Sequence, residues 1–267
     1  MVPFLGHNAE FGSEITNATA SRMSAEEAVV ALVAVLVGSL LQSISGIGLP
    51  LVTIPAISFV ADIETAVAVT ALPNLALNVV LAWREREQLP ATRDLPVLAA
   101  TGFMGAIVGT VVLVAVPEEP LIALLLVVVL AYAFTFHASP DFSIDPRRSR
   151  KLAPVVGTTA GAMQGAVGIS GPIVAAWIHS YRLPRNAHIL SVTVLFTFAG
   201  LAQLPVLIIG DQMGGLWTVA VVACIPALAT VPAGARLRHA LSSDGFDRAV
   251  VAILTVSVVG LAIRTFA

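Results

Sequence analysis

Eight stretches of this 267-residue chain contain no Asp, Glu, Lys or Arg. They run Ala28 to Ala61, Thr65 to Trp83, Leu95 to Pro117, Pro120 to Pro140, Leu152 to Tyr181, Asn186 to Gly210, Gln212 to Ala235 and Ala249 to Ile263. A helix that crosses a bilayer needs about 20 apolar residues, with a range of about 17 to 25, so most of these windows fit one crossing. With 57% hydrophobic and 11% charged residues, the chain has too little polar surface to cover a water-soluble core of its size. The expected class is therefore an all-α polytopic membrane protein.

Two windows do not fit that rule. Ala28 to Ala61 has 34 residues and Leu152 to Tyr181 has 30, too many for one crossing and few for two with a turn. Both are broken by Gly and Pro. The breaks read Gln42-Ser43-Ile44-Ser45-Gly46-Ile47-Gly48-Leu49-Pro50 and Gln164-Gly165-Ala166-Val167-Gly168-Ile169-Ser170-Gly171-Pro172. Gln, Gly, Ile and Pro coincide at an offset of 122, on residues that interrupt helices, which reads as an internal duplication.

Basic residues gather at Arg84, Arg86 and Arg93, at Arg147, Arg148, Arg150 and Lys151, at Arg182 and Arg185, and at Arg236, Arg238 and Arg248. The positive-inside rule assigns these segments to the cytoplasm. The first long window then starts and ends outside and the second starts and ends inside, so each reads as a re-entrant hairpin. Three crossings between them turn the second copy over. The expected organisation is a polar tail (1–24), a first membrane repeat (25–140), a basic cytoplasmic linker (141–151) and a second, inverted repeat (152–267). Each repeat has one hairpin and three transmembrane helices.

Inverted repeats with broken helices at matching places are a mark of secondary transporters, whose substrate sits near the midplane. Pro50 and Pro172 suit the first turn of short helices, expected at about Leu51 to Val60 and Ile173 to Tyr181. Helix N-termini with exposed backbone N–H groups near Gly46, Gly48, Gly168 and Gly171 favour an anion. No charged side chain lies in any window, so recognition falls to amides, dipoles and neutral polar groups. The candidate substrate contacts are Gln42, Ser45, Gly46, Ile47, Gly48 and Pro50 at the first tip, with Asn74 and Asn78 on one helix face. In the second half they are Gln164, Gly168, Ile169, Ser170, Gly171, Pro172, Thr193 and Thr197; Ser43 and Gln203 are further polar groups of the lining. Each has a plainer reading as helix packing or local hydrogen bonding.

The paired Gly-rich breaks, each followed by Pro and a short apolar segment, in a chain with a central basic loop, resemble the sulfite exporter TauE/SafE family, also called the toluene sulfonate uptake permease family. The resemblance covers roughly Ala28 to Ile263. The second break, with Leu183-Pro184-Arg185 after it, is similar to the family pattern. It implies a bacterial inner-membrane transporter of sulfite, a sulfonate such as sulfoacetate, or another small oxyanion.

Export is favoured by an interior-negative potential, whereas uptake needs a coupling ion. His179 and His188, beside Arg182 and Arg185, are candidate proton carriers or simply solvated histidines. The expected partners are a small anion and the lipid bilayer, with a homodimer left open. A net charge of −2 without a basic block argues against nucleic acid. Cys224 is a lone packing residue; neither a metal nor a cofactor is expected, and the motifs of soluble nucleotide and zinc enzymes are missing. Two alternatives stand beside an anion transporter. One is a cation transporter or channel using tip carbonyls. The other is an intramembrane serine protease built on Gly168-Ile169-Ser170-Gly171, which needs a histidine base within reach of Ser170.

Overall fold

The computed structural model describes residues 22–138 and 143–237. The expected window from Ala249 to Ile263, most of the polar tail and part of the linker lie outside the described residues.

Helix α1 (Ala25–Ser45) starts where Ser24 and Glu27 cap each other's backbone N–H groups, at 3.2 and 2.8 Å. It stops at Gly46, whose φ of +88° is a left-handed conformation that a glycine adopts without strain. Helix α2 (Leu49–Ser58) follows after two residues, with Pro50 in its first turn. Helix α3 (Ile63–Arg84) is capped by Asp62, whose carboxylate accepts the Thr65 N–H at 2.6 Å. A 3₁₀ turn (Arg86–Ala91) leads to α4 (Leu95–Ala115) and α5 (Glu118–Ala138). The plan then recurs. Helix α6 (Pro146–Val167) ends at Gly168 with φ +69°, and α7 (Gly171–His179), α8 (Arg185–Ile209) and α9 (Trp217–Leu237) follow.

Helices α6, α7, α8 and α9 begin 121, 122, 122 and 122 residues after α1, α2, α3 and α4. The offset seen in the two breaks thus governs whole elements. Among the described residues five helices, α1, α3, α4, α8 and α9, are long and apolar enough to cross a membrane. Helices α2 and α7, of 10 and 9 residues, rise only about 15 and 14 Å, half of a hydrocarbon core about 30 Å thick.

Two boundaries differ from expectation. The short helices begin two residues early, at Leu49 and Gly171, because the first-turn N–H groups lack intrahelical partners anyway and proline loses nothing there. Helix α6 begins inside the expected basic linker. Asp145 accepts the Arg147 N–H at 2.9 Å and Pro146 opens the first turn, so a capped start draws Arg147, Arg148, Arg150 and Lys151 into the helix.

Packing interlocks the halves. Helix α1 leans on α9 and α6 on α4, while α4 also packs on α8, α9 on α3, and α3 on α8. Exchanging each element for its partner 122 residues away maps this set of contacts onto itself. The α4–α6 crossing is the closest. A Cβ built on Gly161 would collide with the backbone of Gly102, and one on Gly109 with that of Ala162. Small residues let the two backbones meet, which is how membrane helices associate where burying apolar surface gives little drive. Large apolar side chains such as Val29, Met104, Val108, Ile209 and Ile225 face outward, while Gln42, Asn74, Asn78, Gln164 and Gln203 are buried. The inversion of polarity, apolar outside and amide inside, is that of a protein dissolved in lipid.

Candidate functional site

Where α1 breaks, its own side chains close most of the gap. The Gly46 N–H bonds to the Gln42 carbonyl at 2.7 Å, and the Ile47 N–H to Ser45 Oγ at 3.2 Å. Gln42, fully buried, accepts the Leu49 N–H on Oε1 at 2.9 Å. Its Nε2 donates to Asn78 Oδ1 at 2.9 Å and Asn74 Oδ1 at 3.3 Å. Asn78 Nδ2 donates in turn to the carbonyl and side-chain oxygens of Asn74, at 2.8 and 2.9 Å. This amide triad ties the first tip to α3.

The second tip is built differently. Ser170 Oγ donates to Gln164 Oε1 at 3.0 Å, and Gln203 Nε2 donates to the Gln164 carbonyl at 3.0 Å. Neither bond uses a tip N–H. The backbone N–H groups of Gly168, Ile169, Ser170 and Gly171 make no hydrogen bond to the described residues, and neither does Gln164 Nε2. All five belong to buried residues. Buried donors are nearly always paired, so an open row of them at a helix start makes this tip the candidate for binding an acceptor group.

The two tips meet. A Cβ on Gly171 would stand 2.8 Å from Ile47 Cγ2 and 3.3 Å from Leu51 Cδ1, so the missing side chain lets the second tip approach the first closely. Between them lies a narrow cleft of about 10 Å³, room for about one water molecule, lined by Ile47, Gly48, Pro50 and Leu51 from the first tip and by Gln164, Ile169, Ser170 and Gly171 from the second. Phe196 of α8 completes it. Among the described residues no ionisable side chain lines it. The donors facing it are neutral, and the rest is hydrocarbon.

The expected residues therefore divide. Ile47, Gly48, Pro50, Gln164, Ile169, Ser170 and Gly171 line the cleft. Gln42, Ser45, Asn74 and Asn78 stand behind the first tip and hold its backbone, Gly46 packs on Ile189 of α8, and Gly168 and Pro172 flank the second tip. Ser43 packs on α9 beside Thr230, 3.3 Å between hydroxyls. Thr193 and Thr197 do not reach the cleft lining. Their hydroxyls donate to carbonyls one turn back, Ile189 and Thr193, each at 2.8 Å. Leu51 and Phe196 were missed. Phe196 lies 122 residues after Asn74, so the repeat offset itself points to it, but a search for polar groups passes over phenylalanine.

The far end of α7 is fastened to the first half. Trp177 Nε1 donates to the Tyr181 hydroxyl at 2.6 Å, and that hydroxyl donates to Asp94 Oδ2 at 3.2 Å. Ser149 Oγ also donates to Asp94 Oδ2 at 2.7 Å and receives Arg93 Nη2 at 2.6 Å, while the Arg93 guanidinium lies 4.8 Å from the Tyr181 ring centre. Burial, then the neighbouring Asp94 charge, pushes the Tyr181 hydroxyl well above the ordinary tyrosine range. His179 is exposed at the end of α7, and His188 is half-buried near the start of α8.

No curated protein and no solved structure matches the chain. A family model does, that of the sulfite exporter TauE/SafE, over residues 30–261. It spans both breaks, the cleft and all nine described helices except the first turn of α1. Members of the family are membrane transporters rather than enzymes, which agrees with a Ser170 hydroxyl that donates to a neutral amide and not to a histidine base. An all-helical chain with buried amides at two facing helix breaks, matched along most of its length by that model, belongs to the sulfite exporter TauE/SafE family of multi-pass membrane transporters.

Proposed function

We propose that this protein moves a small sulfur oxyanion, sulfite or a sulfonate such as sulfoacetate, outward across a bacterial inner membrane, holding it between the tips of two re-entrant hairpins. The observation that carries the reading is the cleft between the tips, with the buried, unpaired N–H groups of Ile169, Ser170 and Gly171 at the start of α7. Two facing broken helices, recurring at one offset and separated by α3, α4 and α5, support inverted repeats, since an odd number of crossings reverses the second copy.

Access alternates as one half moves against the other. The α4–α6 backbone contact is too close to slide, so it serves as the axis, and the short helices α2 and α7 open and close around the cleft. With the interior negative, one negative charge moving outward releases about 2.3 kcal/mol per 100 mV, about a 50-fold concentration ratio, and export then needs no coupling ion.

The test is efflux of sulfite and sulfoacetate from vesicles holding the purified protein, with the potential set by a potassium gradient and an ionophore. Efflux is expected to rise with interior-negative voltage and to persist when the pH gradient is collapsed. Loss of efflux with the voltage preserved would overturn uncoupled export, and a cation moving in place of the anions would overturn the anion reading.

A further inference from the structure

We infer that the cleft selects its ligand by the charge of the oxyanion group it holds, taking a singly charged group with one weakly hydrated face, such as hydrogensulfite or the sulfonate end of a sulfonate, and rejecting a doubly charged group such as sulfate. This rests on the tip cleft being the anion site.

Two independent features of the second tip point to an anionic ligand. One is the row of unpaired backbone N–H groups from Gly168 to Gly171 at the start of α7. The other is the Gln164 side chain, 2% exposed, which lines the cleft and has its Oε1 engaged by Ser170 while its Nε2 donor has no partner among the described residues. With Oε1 occupied, Nε2 is what remains to offer the ligand.

These donors are all neutral. An anion entering the cleft exchanges water for dipoles and meets no counter-charge, because no Lys, Arg or His among the described residues lines it. The desolvation cost of an ion rises with the square of its charge, so a dianion faces about four times the cost of a monoanion, while its attraction to fixed dipoles only doubles. The opposite wall sharpens the choice. Ile47, Leu51 and Phe196 present hydrocarbon, which cannot hydrate a fourth oxygen but accommodates a methyl group or a sulfur lone pair.

The experiment measures ligand-induced thermal stabilisation of the intact purified protein by methanesulfonate, by sulfate, and by sulfite on either side of neutral pH, where hydrogensulfite gives way to the dianion. Methanesulfonate is expected to bind about tenfold or more tightly than sulfate, and its effect to stay level with pH while that of sulfite declines as pH rises. The Gln164→Leu variant, with its unliganded melting checked, should weaken methanesulfonate about tenfold by removing one donor. Equal binding of sulfate and methanesulfonate would overturn charge selection and leave the anion site standing. No stabilisation by any oxyanion would overturn both. Should the leucine variant fail to fold, the charge series on the unaltered protein decides the matter alone.

Discussion

The two helix breaks share a backbone plan and differ in what their side chains do with it. At the first, Gln42 closes on Leu49, Asn74 and Asn78 and Ser45 closes on Ile47, so most of the tip's polar groups are satisfied from within. At the second, the equivalent glutamine, Gln164, turns its oxygen to Ser170 and leaves the tip N–H groups and its own Nε2 open. The partner amides diverge too. The positions 122 residues after Asn74 and Asn78 are Phe196 and Gly200, which cannot form an amide triad. Duplication copies a fold element and leaves its chemistry free to separate. One copy became a brace and the other kept open donors.

That contrast can be broken most sharply at the glutamines. Gln42→Leu strips three hydrogen bonds from a fully buried site and strands Leu49, Asn74 and Asn78, so thermal or denaturant unfolding in detergent should report a loss of about 3 kcal/mol. Gln164→Leu should cost only about 1 kcal/mol in the same assay while lowering efflux about tenfold. Equal stability losses with equal flux losses would dissolve the distinction between brace and binding tip.

Glycine substitutions sharpen the same comparison. Gly171→Ala puts a methyl against the side chains of Ile47 and Leu51 and no backbone atom, so the fold should lose about 1 kcal/mol as they shift while the narrowed cleft loses flux. Gly46→Ala forces a side chain onto φ +88°, which should cost about 1 to 2 kcal/mol of stability without touching the cleft.

Smaller effects test the outlying groups. Tyr181 holds its proton more tightly when folded than unfolded, where its pKa is about 10. Its contribution is whole below that value and is lost as pH rises through and beyond it. Tyr181→Phe should therefore flatten part of the alkaline decline in melting temperature. The position 122 residues before Tyr181 is Phe59, which is exposed and carries no hydroxyl. The smallest change is expected for Thr197→Val, where a hydroxyl bonded only to its own helix is replaced by a methyl. Stability should move by no more than about 0.5 kcal/mol and efflux should hardly change.

Membrane residence, the positions of the two breaks and the offset of 122 are legible in the sequence. Each depends on local chemistry: charge is excluded from hydrocarbon, Gly and Pro interrupt helices, and a duplicated gene repeats both at a fixed spacing. Most of the cleft lining was legible as well, since Gln164, Ser170 and Gly171 belong to the break itself. The sequence alone cannot rank the tips, because Gln42 and Gln164 occupy equivalent positions and look alike as letters. Only tertiary packing, which sets Asn74 and Asn78 beside one glutamine and Phe196 beside the cleft of the other, decides which buried amides are paired and which are left open. A hydrogen bond between residues 32 or 36 positions apart is a matter of distance in space, and periodicity along a chain does not contain it.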